Sequence, residues 1–430
     1  MKPENAKKHV VIVGGGFAGI ACAKALARHS HMHITLIDKN NYHQFQPLLY
    51  QVATSQISPS DVAYSLRKLF RGCQNVEVKL GEAAAVDPAA KTVTTASGEV
   101  YQADYLVLAA GARANFFNIP GAEQHAFPMY SLDDAQRLRS RILQVFEEAD
   151  RDPRLVGEGA LNFVVVGAGA TGVEVAGALA ELIRDSMTQE YPKVPVHQAK
   201  IYLVDYGHTV LSPFSDKAHT YAEKVLQNAG VELRLKTGVK EVTPGHVLLS
   251  DGAVIRTRLT IWAGGLMASP LAGKSGLAQG HGGRIDVLPD LTAAGFPGVY
   301  VLGDLANIPN PSGGALPQLG SVALQTGQWA GANILADATG KPRTPFQYND
   351  KGIMAMITRS AAVVEIGEKR HELHGPVAAT MWLGVHASLM TGIRNKIEAF
   401  VEWTWSYFSQ ERGPQLLDRT DLPKIDWADD

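Results

Sequence analysis

The chain has 430 residues, which at roughly 100 to 200 residues per domain points to two or three domains rather than one core. Apolar residues make up 46% and charged residues 19%, a globular composition that excludes general disorder, and the 42 glycines follow no Gly-X-Y period. A net charge of -2 gives no reason to expect nucleic-acid binding. Two cysteines, Cys22 and Cys73, with no CxxC between them exclude a disulfide framework, a cysteine-based zinc site and a dithiol redox centre.

In chain order, residues 9–13 form a β-branched run, followed by Gly14, Gly15, Gly16 and Gly19, a helical stretch over 18–29 and a second strand over 33–38. Lys2, Lys7 and Lys8 before an apolar stretch could pass for a secretory leader. A leader core has no need of those glycines, whereas a strand-turn-helix that brings a phosphate to the backbone does. Residues 41–58, with Pro47, several aromatic residues and little periodicity, read as a loop with a short helix. Strands are predicted over 76–79, 92–95 and 104–109, the last ending at Ala110-Gly111. A charged helix over 132–150 leads to a second copy of the opening pattern: strand 161–166, glycine turn 167–172, helix 173–183 and strand 201–205. Residues 260–263 before Gly264-Gly265 close this copy much as 104–109 close the first. A further strand over 299–302 runs into Gly303-Asp304, and past Thr344 the composition shifts to Trp, Met and His. Two β-α-β units in one chain indicate an internal duplication of a dinucleotide-binding domain.

Gly14-x-Gly16-x-x-Gly19 fits the dinucleotide fingerprint: the first glycine turns the chain, the second admits a pyrophosphate and the third lets helix and strand pack closely. Asp38 closes the next strand, where a carboxylate can accept both ribose hydroxyls. Gly167-x-Gly169-x-x-Gly172 repeats the motif, and Asp205 repeats the acid after an insertion over 185–198. That acid repels a 2′-phosphate, and Tyr206, Gly207 and His208 offer no arginine to hold one, so NADH is expected over NADPH. Two nucleotide sites in one chain are most economically a flavin taking hydride from a nicotinamide. The 14 histidines show no metal spacing; His371-x-x-His374 falls in what reads as a turn, and no metal site is expected.

Val299-Tyr-Val-Leu-Gly-Asp304 resembles the late flavin motif of the two-dinucleotide-domain flavoproteins, whose aspartate holds the flavin ribityl chain. Asn41-Tyr-His-Gln-Phe-Gln-Pro-Leu-Leu-Tyr-Gln-Val-Ala-Thr54, with Ser58-Pro59-Ser60-Asp61, resembles one branch: the type II NADH dehydrogenases, which are non-proton-pumping NADH:quinone oxidoreductases. Residues 260–271, Gly392-Ile-Arg-Asn-Lys396 and Glu402-Trp-Thr-Trp-Ser-Tyr-Phe408 are similar to it too, so the resemblance runs from His9 to about Leu417. It implies hydride transfer from NADH to a non-covalent FAD and passage of two electrons to a membrane quinone. For cofactor binding it implies Gly14, Gly15, Gly16, Phe17, Ala18 and Gly19, then Asp38, Lys39, Gln46, Ala83, Ala110 and Gly111. Further along it implies Gly167, Gly169, Thr171, Gly172, Asp205, Gly264 and Gly265, and late in the chain Gly303, Asp304, Ser321 and Val322. For the quinone it implies Gln46, Tyr50 and Gln325.

In that family a glutamate just after the second glycine motif relays protons to the quinone. Thr171-Gly-Val-Glu174 matches, so the role falls to Glu174. A carboxylate buried on an apolar helix face has the raised pKa that a donor near neutral pH needs, the alternative being a glutamate that merely complements the helix dipole. The family's quinone segment reads Ala-Gln-x-Ala-x-Gln. Here Gly320-Ser321-Val322-Ala323-Leu324-Gln325 keeps the last glutamine and replaces the first by Ser321, leaving Gln325 to contact flavin or quinone, or to serve as an ordinary surface amide. Disulfide reductases and sulfide:quinone reductases of this architecture need cysteines that residues 42–55 lack.

Residues 376–393 carry no charge for 18 positions, the lower limit for a membrane span, but Pro376, Gly384, His386, Ser388 and Gly392 argue against one. An amphipathic run follows, with Leu389, Ile393, Ile397, Phe400, Thr404 and Phe408 on one face and Arg394, Asn395, Glu398 and Glu402 elsewhere. Four of the six tryptophans, Trp382, Trp403, Trp405 and Trp427, lie in this tail. The pattern suits a helix lying among lipid headgroups, or else a dimer interface or core.

The expected architecture is α/β, with two Rossmann-like dinucleotide-binding domains and a C-terminal amphipathic helical membrane-docking region. Residues 1–115 and 283–345 would form the FAD domain, 116–154 a linker and helix, 155–282 the inserted NAD(H) domain and 346–430 the membrane-associated region. Expected partners are NADH, a membrane quinone and a lipid surface, at the cytoplasmic face of the cell membrane, with a homodimer left open and no nucleic acid. The rival readings are a soluble NADH-dependent reductase of a ferredoxin-like partner and a non-catalytic FAD/NADH redox sensor.

Overall fold

The computed structural model describes residues 7–311, 313–367, 370–409, 412–413 and 415–417, and these form two compact units. One unit gathers the chain up to Gln44 with Ala63–Asn115 and Gly265–Lys351; the other comprises Phe45–Val62, Phe116–Gly264 and the chain from Gly352 onward. This division differs from the expected domain limits: residues 265–282 join the first unit, and 116–154 are part of the second. Residues 45–62 and the C-terminal region both belong to the unit that carries the second glycine turn.

The first unit is built on a six-stranded sheet in the order Thr292–Ala293, Phe296–Val301, Tyr105–Leu108, Lys8–Val13, Met32–Asp38, Val76–Leu80. Its pairings are parallel apart from the edge hairpin, which explains the nearly uninterrupted apolar runs: both sheet faces are covered. Val13 pairs with both Ile37 and Leu108, so the three central strands end level, where a ligand crevice belongs. Helices Phe17–Leu26 and Gly320–Ala338 cross at close range because Gly327 and Gly331 lie on one face of the latter. A Cβ on Gly327 would collide with the Ala18 carbonyl, and one on Gly331 would sit 2.6 Å from the Ala25 Cβ. An antiparallel sheet of Ala83–Asp87, Thr92–Thr95 and Val100–Gln102 completes the unit.

The second unit repeats the plan with a five-stranded parallel sheet in the order Ala126–Pro128, Leu259–Trp262, Asn162–Val166, Lys200–Val204, Val231–Arg234. Helix Leu132–Arg151, which opens on a reciprocal Ser131–Asp134 capping box, packs beside this sheet and the short helix Leu49–Ala53. Helix Ala170–Leu182 follows the second glycine turn and continues through a π-helical turn, Ile183–Met187, into what the sequence presented as an insertion. Against it lie three antiparallel strands that the sequence pattern did not announce, Ile353–Thr358, Ala361–Ile366 and His371–Gly375. Gly177 permits this approach, since a Cβ there would collide with the Ile357 carbonyl. His371 and His374 are therefore strand residues rather than turn residues, and His374 stacks on Tyr221 at 4.8 Å. The chain ends in helices Pro376–Leu389 and Ile393–Ser409, separated at Gly392, whose φ of 87° breaks any continuous span. Among the described residues no helix is long and apolar enough to cross a membrane.

Candidate active site

Both glycine turns have the same geometry. Gly14 has φ 109°, and a Cβ there would collide with the Ala109 carbonyl; Gly167 has φ 102° with the Ala263 carbonyl in the same relation. Cβ atoms on Gly19 and Gly172 would strike the carbonyls of Gly14 and Gly167, five residues earlier in each turn. Around Gly16 and Gly169, by contrast, an added Cβ meets nothing within 4 Å, and no side chain caps either helix. Each turn therefore presents backbone amides and a helix dipole to open space, which fits a pyrophosphate.

The paired acids sit where the motif places them. Asp38 accepts from the Asn40 amide at 2.7 Å and from the Gly15 amide, while Asp205 accepts from Ala168 at 2.6 Å and from Gly207. Burial pushes the Asp38 carboxyl upward, and the Gly15 and Asn40 amides pull it back. His43, which sequence reasoning passed over, is buried at the first turn with Nδ1 3.1 Å from the Gly15 carbonyl and the Phe17 ring edge-on at 5.1 Å. Burial lowers its pKa to about 4, so it is neutral near pH 7, and its only sequence signal was its place in the family-like segment.

The remaining cofactor candidates in the first unit lie at strand and helix ends. Ala110 and Gly111 follow the strand Tyr105–Leu108, and Ala83 opens a strand packed on the core, while Lys39 is exposed. Gly303, φ 61°, donates to Thr326 Oγ1 at 3.2 Å, and the Asp304 carbonyl accepts from Gln318 Nε2 at 3.0 Å. Val322 is buried in the first turn of helix Gly320–Ala338. Two positions there are held by a neighbouring segment: Ser321 Oγ meets the Tyr348 hydroxyl at 2.9 Å, and Gln325 exchanges two hydrogen bonds with the Asn349 backbone, 3.0 and 2.9 Å. In the second unit Thr171 is exposed in the first helical turn, and Gly264 lies two residues past the strand Leu259–Trp262; Gly265, which belongs to the first unit, has φ 131°.

Glu174 lies one turn into helix Ala170–Leu182 and is 9% exposed. Its Oε1 accepts from the Met356 amide at 3.2 Å. Burial raises its pKa to about 8, against the pull of the Met356 amide, so it is mostly protonated at pH 7. It lines a cavity of about 50 Å³ together with Tyr50, Gln51, Glu181, Arg359 and Trp403, large enough for ordered water. Tyr50 is held well above its usual pKa by burial and by Glu174, and it accepts from Gln51 Nε2 at 3.1 Å. Behind it, Trp382 is fully buried and stacks on His386 at 3.8 Å. Gln46 carries a buried Oε1 with no hydrogen-bond partner among the described residues. Gln51, Trp382 and Trp403 had no signal of their own as site residues, because what joins them to Glu174 is tertiary contact.

The class follows from this duplicated fold: the model of the pyridine nucleotide-disulphide oxidoreductase family matches residues 8–327. A Mycobacterium tuberculosis type II NADH:quinone oxidoreductase is 37% identical over 95% of this chain and 89% of its own length. The Haemophilus influenzae type II enzyme is 28% identical over 84% of this chain and 88% of its own. Among solved structures, NDH2 from Plasmodium falciparum in complex with NADH shares the fold with a TM-score of 0.87 at 19% identity, covering 95% of this chain and 100% of that one. The chain belongs, within its wider family, to the type II NADH:quinone oxidoreductases.

Proposed function

We propose that the first unit holds non-covalent FAD through Gly14 to Gly19, Asp38 and Asp304, and that the second holds NADH through Gly167 to Gly172 and Asp205. Bound FAD would supply the two-electron carrier between NADH and a quinone. The protein's own contribution is to bind, to orient and to move a proton. Asp205, without an arginine at Tyr206, Gly207 or His208, selects a free 2′-hydroxyl. Glu174 carries its proton at a buried carboxyl and delivers it to a quinone oxygen, and the observation that supports this most is that burial keeps that carboxyl protonated near neutral pH. Gln46 and Tyr50 serve as quinone contacts; Gln325 does so by exchanging its Asn349 partner.

The docking surface is the outer face of the last two helices, where Leu389, Ile393, Ile397 and Phe400 of the expected face are exposed and joined by Trp405. Ile393 is 78% exposed and Phe400 65%, and large apolar side chains gathered on one exposed helix face suit a surface that lipid covers. Phe408's side chain and Trp427 lie outside the described residues. On this reading the enzyme works from a peripheral position, at the cytoplasmic face of the cell membrane, and reduces quinone without proton pumping. Steady-state NADH oxidation with ubiquinone and menaquinone analogues, with and without liposomes, tests this. Quinone-dependent turnover stimulated by lipid is expected, and turnover with a ferredoxin-like acceptor alone would overturn it.

A further inference from the structure

The hydrogen bonds around Tyr50 have a direction that can be read without seeing a proton. An indole N–H only donates, so Trp403 Nε1, 2.7 Å from Gln51 Oε1, fixes which end of the Gln51 amide is oxygen. The amide nitrogen must then face Tyr50, and Gln51 Nε2 donates to the Tyr50 hydroxyl at 3.1 Å. A phenol oxygen that accepts this bond keeps its own hydrogen for another acceptor. Tyr50, Gln51 and Trp403 all line the cavity that contains Glu174. Gln51 is 3% exposed and Tyr50 4%, so water from bulk solvent does not supply these bonds instead.

Resting on the reading of Glu174 given above, we propose that Trp403 and Gln51 are positioning residues that hold the Tyr50 hydroxyl as a proton donor toward Glu174, so that the C-terminal helix governs reprotonation of the acid. The overall reaction, NADH + H⁺ + quinone to NAD⁺ + quinol, takes one proton from solvent per turnover. Glu174 gives its proton to the quinone oxygen and becomes a carboxylate. A water in the shared cavity then gives a proton to the Glu174 carboxylate as the Tyr50 hydroxyl gives its own to that water, and Tyr50 regains a proton from solvent through the cavity in the same relay, so each O–H bond broken is matched by one formed and no charge remains. Trp403 lies on the same helix as the exposed Ile393, Ile397 and Phe400, which places an element with an exposed apolar face two hydrogen bonds from the Tyr50 hydroxyl.

The other charged and titratable groups around the cavity are Glu181 from the Glu174 helix, Arg359 from the strand segment, Arg412 from the C-terminal chain and Tyr407 from the last helix. Glu181 accepts from the Arg359 amide at 3.1 Å and pairs with Arg412 at 3.5 Å, a fixed ion pair rather than a mobile donor. His386, behind Trp382, is neutral near pH 7 because burial lowers its pKa to about 4.

The test compares Trp403→Phe, Gln51→Leu, Tyr50→Phe, Glu174→Gln and the double variant Trp403→Phe/Tyr50→Phe, all as full-length FAD-loaded protein with a short-chain ubiquinone analogue. Flavin content and the rate of flavin reduction by NADH should stay at parent levels. Quinone-dependent reoxidation should fall about tenfold or more in Trp403→Phe and Gln51→Leu, with a larger solvent deuterium effect and a shifted pH profile. Trp403→Phe should add nothing once Tyr50 is already Phe, because the two act in series. Should either single variant lose its flavin, the other carries the test from the opposite end of the chain of bonds. Parent-like reoxidation in Trp403→Phe and Gln51→Leu, or additive losses in the double variant, overturns the positioning role. If Glu174→Gln itself turns over like the parent, the reading of Glu174 fails and the proposal with it; if only Glu174→Gln is slow, the positioning role alone fails.

Discussion

Replacing Glu174 by glutamine keeps the shape of the side chain and removes its titration, so stability and rate should both change in ways that depend on pH. Burial raises the Glu174 pKa from 4.5 to about 8. At about 1.4 kcal/mol per pH unit, this amounts to a cost of about 5 kcal/mol once the pH exceeds the folded-state pKa. The sign is set by which state binds the proton. Below pH 4.5 both states are protonated and nothing is lost; between 4.5 and 8 the folded protein keeps a proton that the unfolded chain has released, so stability falls as pH rises. Glu174→Gln lacks this slope. Denaturant unfolding of both proteins should give a stability difference that moves in the variant's favour across this window by about 5 kcal/mol in all, on top of a constant offset from the new amide. Quinone turnover should fall about 10²-fold in the variant, and the parent's rate should decline above pH 8 as the donor loses its proton. Parallel stability curves, or a variant with the parent's turnover, would refute the account of a buried, protonated donor.

Three further sets of substitutions test the nucleotide sites and the exposed helix face. Asp205→Ala combined with Tyr206→Arg should narrow the NADH over NADPH ratio of kcat/KM by tenfold or more, about 1.4 kcal/mol; an unchanged ratio would mean that Asp205 does not read the ribose. Gly19→Ala and Gly172→Ala both force a Cβ onto a turn carbonyl, but they should fail differently: the first loses flavin on gel filtration, while the second keeps flavin and loses its reduction by NADH. For the lipid face, Ile393→Ser, Ile397→Ser and Phe400→Ser together remove roughly 1.5 to 3 kcal/mol of burial per side chain and should abolish co-sedimentation with vesicles while leaving flavin in place. These point changes suit the question better than deleting the last helices, because Trp382 is fully buried and its loss would open the core.

What could be read from the sequence was whatever the backbone settles locally. Each glycine turn needs one residue at positive φ and one without a Cβ within six positions, so Gly14 to Gly19 and Gly167 to Gly172 announced themselves and the paired strands followed. The three strands over residues 353–375 did not, since their pattern is set by packing against helix Ala170–Leu182, nearly two hundred positions earlier. The same holds for the assignment of residues 45–62, which join the second unit through contacts of Leu49–Ala53 with helices Leu132–Arg151 and Ala170–Leu182. Within the site, Glu174 was legible through its distance from Gly172, whereas the bond from Trp403 to Gln51 spans 352 positions and has no signature in either neighbourhood. The C-terminal amphipathic pattern was legible as a pattern only. It showed which residues share a face, and the structure adds that Asn395 turns inward to the Ser60 and Asp61 carbonyls, at 2.8 and 3.0 Å, leaving Ile393, Ile397 and Phe400 outward.

The most direct measurement of the central claim follows the flavin absorbance of the full-length protein under anaerobic mixing, first with NADH and then with a short-chain quinone. NADH should bleach the flavin rapidly and NADPH more slowly, and quinone should restore the colour rapidly. A flavin that NADH bleaches but that quinone leaves bleached, while a ferredoxin-like acceptor restores it, would contradict that claim.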